Sequence, residues 1–353
     1  VAVLREERGL ARFQRVSLVL SAGGGLGAYQ AGAYSAMEAA GFEPDWVAGV
    51  SVGALNASII AGNPPRQRVA KLRSFWQRIG GSAMEPRRAG LGSRIRRLFG
   101  EGAGGSPDML ALLGLSPSGC LDPGRLKPLL AEHVDFARVN SGVVRLTLGA
   151  IHLTTGCDVS FDNDRHVIGL DHVLAAAAPT AGFGAVPIAG EPYGHTALLP
   201  VPSLAALFEN AAPADTLLFV VDCFDPDPAW RHGTTRAAQQ IAALRGRHDM
   251  RRVIGLIGER LPSELRSDPE LRGYLALGTS ATMNLVRLVH ESNPADLVRK
   301  IADYSPATAL LRWRVGKRDM AASLGKPAWL APPPRRKGVV VHELRGTGMP
   351  PVA

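Results

Sequence analysis

A five-residue run, Gly49-Val50-Ser51-Val52-Gly53, constrains this chain more than any other stretch. The apolar segment Trp46-Val47-Ala48 runs into it, and a helix-compatible segment, Ala54 to Ala61, runs out of it. A serine on so tight a strand-to-helix turn is lifted clear of the sheet, with its hydroxyl exposed. Gly49 and Gly53 flank it because a Cβ would clash where the backbone is crowded. Val52 opens the following helix, so its N–H points towards negative charge developing near Ser51. The run reads as a nucleophile elbow. The plainer alternative is a glycine-flanked turn into a helix.

A second strand–loop–helix unit precedes it. Val16 to Leu20 is a β-prone apolar run, Ser21-Ala22-Gly23-Gly24-Gly25-Leu26-Gly27 follows, and Ala28 to Ala40 is helix-like up to Gly41. Unpaired amides and a helix N-terminus converge there, which suits an anion. Two chemistries use such a loop: a dinucleotide pyrophosphate site and an oxyanion hole. The dinucleotide fingerprint is broken, because Ala22 stands at its first glycine. The next strand also ends in the serine elbow rather than in a ribose-binding acid. The oxyanion reading is therefore preferred, with the N–H groups of Gly23, Gly24 and Gly25 opposite Ser51, and no cofactor is expected.

Beyond the elbow, strands and helices alternate. Arg66 to Ile79 and Pro123 to His133 read as helices, Val143 to His152 as a strand, and Asp158 to Phe161 as its hairpin mate. Asp171 to Ala178 is a short helix, Thr216 to Val221 a buried strand ending at Asp222, and Met283 to His290 another strand. Thr234 to Arg245 and Met250 to Arg260 read as two helices, and Ser305 to Leu324 as a long one. The alternation predicts an α/β fold, a mainly parallel central sheet with helices on both faces. Residues 1–14 read as an N-terminal extension, 15–222 as the main domain and 223–330 as an extension packed on it. Gly80 to Gly119, rich in Gly, Ser, Pro and Arg, reads as a lid-like insertion. The Pro- and Gly-rich residues 331–353 read as a disordered tail.

Bulk properties narrow the function classes. Hydrophobic residues make up 46% of the 353 and charged residues 20%, enough for a sizeable core. No apolar run approaches the length of a membrane span, and Val1 to Arg15 lacks the apolar core of a signal peptide. Cys120, Cys157 and Cys223 are far apart and lack metal-ligand spacing, and the histidines are scattered singly. A cytoplasmic protein without a metal site is expected. The net charge of +9 makes an anionic membrane surface a candidate partner, with the protein peripheral to it. No nucleic-acid motif accompanies that charge, so no nucleic-acid partner is expected.

The glycine loop running into Gly27-Ala28-Tyr29-Gln30-Ala31-Gly32, the elbow, and Ala54-Leu55-Asn56-Ala57 behind it resemble the patatin-like phospholipases. The likeness extends from about Arg15 to Leu324. It takes in Val134-Asp135-Phe136, Asn140-Ser141-Gly142, Phe161-Asp162-Asn163, Asp171-His172-Val173 and Thr282-Met283-Asn284-Leu285, in the manner of a bacterial branch with a C-terminal extension. The resemblance implies a three-layer α/β/α domain and a serine hydrolase of lipid or other acyl esters. Such an enzyme uses a serine–aspartate dyad: the serine attacks, the aspartate relays its proton and the glycine loop holds the oxyanion. The chain departs from that pattern. Leu26 stands where many relatives have a basic residue, and His195-Thr196-Ala197 fill the positions of the Asp-Gly-Gly motif that carries the dyad aspartate.

Three readings follow from that departure. Catalysis is lost and a lipid-binding or scaffold protein remains; or His195 serves as base; or another acid, such as Asp222, Asp225 or Asp227, serves Ser51. An imidazole with an ordinary pKa near 6.5 can take a serine proton. The rate would then fall as pH drops through about 6 to 7.

Overall fold

The computed structural model describes residues 12–81, 123–178, 184–195, 214–223, 236–290, 303–325, 327–331, 333 and 338–346. In chain order the elements begin with β1 (Arg15–Leu20), a 3-10 turn (Gly24–Leu26), α1 (Gly27–Ala39), β2 (Trp46–Gly49), α2 (Val52–Ala61) and α3 (Pro65–Gly81). Next come α4 (Pro123–His133), α5 (Phe136–Asn140), β3 (Arg145–His152), β4 (Asp158–Asp162), α6 (Leu170–Ala177), β5 (Val186–Ile188), β6 (Glu191–Gly194) and β7 (Thr216–Asp222). The last are α7 (Arg236–Arg260), α8 (Ser263–Arg266), α9 (Pro269–Leu275), β8 (Met283–Val289), α10 (Pro306–Leu324), a second 3-10 turn (Pro327–Leu330) and β9 (Val339–Arg345).

Among the described residues nine strands form one sheet in the order β5-β6-β3-β2-β1-β7-β8-β9, with β4 also on β3. The six strands from β3 to β9 along that order are parallel, and the β4, β5 and β6 pairings are antiparallel. The central strands are apolar on both faces, as a sheet covered on both sides requires. Along them the faces alternate. Leu18, Leu20, Val47, Leu217, Phe219, Val221, Val286 and Leu288 join the large core with α1, α2, α3, α6 and α10. Val19, Trp46, Ala48, Leu218, Val220 and Leu285 form a second cluster on the other face. The fold is the expected three-layer α/β/α arrangement.

Two expectations change. The residues expected as a disordered tail include β9, which pairs in parallel with β8 over Val339 to Arg345. The Pro- and Arg-rich surroundings masked a β-branched run, Val339-Val340-Val341. Within residues 223–330, expected as an extension packed on the main domain, β8 joins the central sheet beside β7. The two helices expected around Gly246 are one, α7, because a single glycine costs a helix only about 1 kcal/mol. Of the expected insertion, everything beyond Gly81 up to Gly119 lies outside the described residues. Among the described residues, no helix is long and apolar enough to cross a membrane.

The chain leaves β1 towards β2 and β3 on one side, and β7, β8 and β9 fill the other. That reversal makes the C-terminal end of β1 the switch point, where open α/β sheets bind ligands. The glycine loop begins there and Ser51 follows the neighbouring strand.

Candidate active site

Ser51 joins β2 to α2 with φ 55 and ψ −133. A side-chain-bearing residue held at positive φ is strained, and such strain persists only where neighbours fix it. The fixing bonds are in place. Ser51 N–H donates to Ala176 O at 2.8 Å, Val50 N–H to Leu20 O at 3.3 Å, and Ala54 N–H to Ser51 O at 2.9 Å. The elbow is thus tied to β1, to α6 and to its own helix.

The flanking glycines are required by close approach. A Cβ on Gly49 would lie 2.3 Å from Gly53 O, and one on Gly53 would lie 2.1 Å from Leu20 O. Both contacts are with backbone, which cannot rotate away. Gly53→Ala is therefore expected to cost about 3 kcal/mol or more, the upper range for overpacking. Urea unfolding of the variant beside wild type measures it, and a shift below about 1 kcal/mol would refute the close packing.

The glycine loop lies beside the elbow. Gly24 turns at φ 52, and Leu26 N–H donates to Gly23 O at 2.9 Å to close the 3-10 turn. Gly24 and Gly25 open that turn and Val52 opens α2, so their N–H groups have no acceptor within their own helix. A buried network holds the two units together. Gln30 Nε2 donates to Ser21 O (2.7 Å), and Asn56 Nδ2 donates to Gly27 O (2.9 Å) and to Gln30 Oε1 (3.1 Å). Trp76 Nε1 donates to Asn56 Oδ1 at 2.8 Å. Gln30 and Asn56 are fully buried, so losing either would strand polar groups without water.

Leu26, in the glycine loop, is buried. A cation reaches the loop from elsewhere. Arg312, on α10 and buried, places Nη1 2.4 Å from where a Cβ on Gly25 would be, and it donates to Asp303 O. Burial lowers its pKa to about 10, still charged at neutral pH. Sequence reasoning passed over Arg312. The available signal was spacing: on α10 the buried positions Ala309, Arg312, Gly316, Asp319 and Ser323 recur at helical period, so two charged residues occupy a core-facing stripe. Cys223, buried against the same loop, donates its N–H to Ser21 Oγ at 3.1 Å, and burial raises its thiol pKa.

His195 lies 144 residues from Ser51 in the chain (195 less 51), yet the sheet brings their segments together. Arg145 N–H donates to Asp45 O and Leu153 N–H to Pro192 O, both at 2.9 Å. Residues of equal parity on a strand use the same edge, so β2 and β6 share one edge of β3. β2 occupies it up to Gly49, opposite Leu148, and β6 takes it over with Gly194 opposite Ile151. β6 ends at Gly194, and His195 follows it directly. His195 is buried, and burial lowers its pKa to about 4. It is therefore neutral at pH 7.

The carboxylates considered as alternatives are placed differently. Asp222 continues the face of Leu218 and Val220, and Arg287 holds its Oδ2 through Nη2 at 2.8 Å and Nε at 3.2 Å. Arg287 also bridges to Glu343 at 2.9 Å. Asp222 is a structural ion-pair member at the end of β7. Asp225 and Asp227 lie outside the described residues.

The arrangement is that of an α/β/α protein carrying a strained serine beside a glycine-rich loop, at the switch point of a mainly parallel sheet. Two family models match the chain: patatin-like phospholipase over residues 18–217 and patatin phospholipase over residues 234–336. The first spans more than half the chain, and the chain belongs to the patatin-like phospholipase family. No curated protein sequence matches it. Among solved structures it is similar to VipD from Legionella pneumophila, with 13% identity, a TM-score of 0.36, and coverage of 88% of this chain and 67% of that one.

Proposed function

We propose that this protein is a serine-dependent hydrolase of lipid acyl esters in which a histidine stands in for the dyad aspartate. Family membership supports lipid hydrolysis in general terms. The observation that carries the finer reading is the strained elbow at Ser51, φ 55, with Val52 opening a helix beside it. Ser51 Oγ attacks the ester carbonyl while its proton passes to a ring nitrogen of His195. The N–H groups of Val52 and of Gly23, Gly24 and Gly25 receive the oxyanion. Collapse of the tetrahedral intermediate breaks the ester C–O bond, and the imidazolium returns its proton to the leaving alcohol. Water, deprotonated by the same imidazole, then hydrolyses the acyl-serine. The excess positive charge favours an anionic lipid surface as the place of encounter.

One observation favours a second reading, lipid binding without turnover. A base of pKa about 4 has little driving force for taking a serine proton at pH 7. A fluorophosphonate probe followed by peptide mass mapping separates the two. An adduct on Ser51, with hydrolysis of p-nitrophenyl butyrate, supports the enzyme. Folded protein that neither labels nor hydrolyses supports the binding protein.

A further inference from the structure

α7 is turned inside out. His248 Nε2–H donates to Ala281 O at 2.8 Å, and Arg252 Nη1 donates to Ser280 O at 2.9 Å and Ala281 O at 3.1 Å. Gly255 completes that side, where a Cβ would lie 2.9 Å from Thr279 O. The polar side of the helix thus faces the body. At 100° per residue, Met250, Val253, Ile254, Ile257 and Leu261 fall within a stripe about 100° wide on the side away from those contacts. Met250 is 63% exposed, Val253 51% and Ile257 52%, and Leu256 beside them is 50% exposed. An apolar stripe of that width belongs against another surface.

Position excludes the substrate membrane as its natural cover. Ser280, Ala281 and Gly338 immediately precede or lead into β8 and β9, so this part of α7 sits at the N-terminal edge of the parallel strands. Ser51 and the glycine loop sit at the C-terminal edge. A lipid surface against the stripe would hold the proposed site away from its substrate.

The charges beside the stripe point to its partner. By helical position Asp249 and Arg260, both exposed, fall on one flank, eleven residues or about three turns apart, with Asp249 Oδ1 lying against Gly338. The acid is at one end and the base at the other. An antiparallel copy, related by a two-fold axis near Val253 and Ile254, sets Met250 against Ile257 of the second copy. It also brings Asp249 to within about 3 Å along the axis of the level of the second copy's Arg260, inside the reach of an arginine, twice over. A two-fold interface needs this kind of self-complementarity. On a chain of net charge +9, the paired charges also limit repulsion at the contact.

We propose that the Met250–Val253–Ile257 stripe is the contact between two copies of this chain, packed antiparallel. Sedimentation equilibrium of the full chain at micromolar concentrations is expected to give a dimer. Ile257→Lys or Val253→Glu should give a folded monomer that still melts cooperatively, its melting temperature no longer rising with protein concentration. Asp249→Arg and Arg260→Asp should each weaken dimerisation at least about tenfold, and the double variant should recover it. A wild type that stays monomeric at about 100 μM would overturn the proposal. So would stripe variants that dimerise as wild type does, or single charge variants without effect. Monomeric protein that binds phosphatidylcholine–phosphatidylglycerol vesicles only when the stripe is intact would overturn it in favour of a lipid surface.

Discussion

Ser51→Ala is expected to lower ester turnover by on the order of 10⁴ or more while leaving the fold intact. The loss is that large because no other group supplies the attacking oxygen, and the oxyanion donors by themselves leave only residual catalysis. The fold survives because the bonds that hold the elbow belong to the backbone. Ser51 N–H donates to Ala176 O, Ala54 N–H donates to Ser51 O, and both remain with alanine. Initial rates on p-nitrophenyl butyrate, beside the melting temperature, measure the two separately. Turnover unchanged from wild type would remove Ser51 from the mechanism.

The second large effect concerns His195. As general base, its loss in His195→Ala should lower kcat by about 10² to 10⁴. Only the neutral ring accepts a proton, so kcat/KM should fall on the acid side near pH 4, where burial sets the pKa, and not near 6.5. The same shift acts on stability. The folded pKa lies below the value near 6.5 of an exposed histidine, so between those two values the unfolded chain binds more protons. The stabilisation is fully present above about pH 6.5. It is lost as pH falls towards 4, by up to about 3 kcal/mol for one buried ring. Urea unfolding at pH 7 and pH 4.5 should show this loss in wild type, and His195→Gln should lack that part of it. A variant that keeps full activity and the wild-type acid limb would show that His195 packs the core without touching the chemistry.

The two variants also separate the proposed readings. An enzyme loses turnover with Ser51→Ala and shows its acid limb through His195. A binding protein has no turnover to lose, yet keeps the pH-dependent stability, because that arises from burial alone.

Sequence alone determined the features that depend on neighbours in the chain. The elbow was legible because Gly49 and Gly53 must lack a Cβ where strand, turn and helix crowd within five residues. The glycine loop was legible because a short apolar strand, three glycines and a helix start follow without a break. The strands β1, β3, β7 and β8 were legible from apolar runs whose burial is a property of the run itself. β9 was not, since its proline- and arginine-rich surroundings outweighed a short valine run. Asp222 looked available as a carboxylate at a strand end. Which face it took, and Arg287 waiting there, depended on the pairing of β7 with β8.

The remaining features depend on what lies far away in the chain. Arg312 meets the glycine loop only because α10 packs across α1. The outward turn of α7 depends on which of its faces meets the start of β8. β6 ends near the elbow's strand because β2 stops at Gly49 and leaves one edge of β3 for β6 to occupy. Local propensity sets each strand's existence, but hydrogen-bond register across a third strand sets where two strand ends meet. The tertiary structure alone therefore decided that β6 ends on the edge of β3 that β2 vacates, and that burial beyond it holds His195 neutral at pH 7.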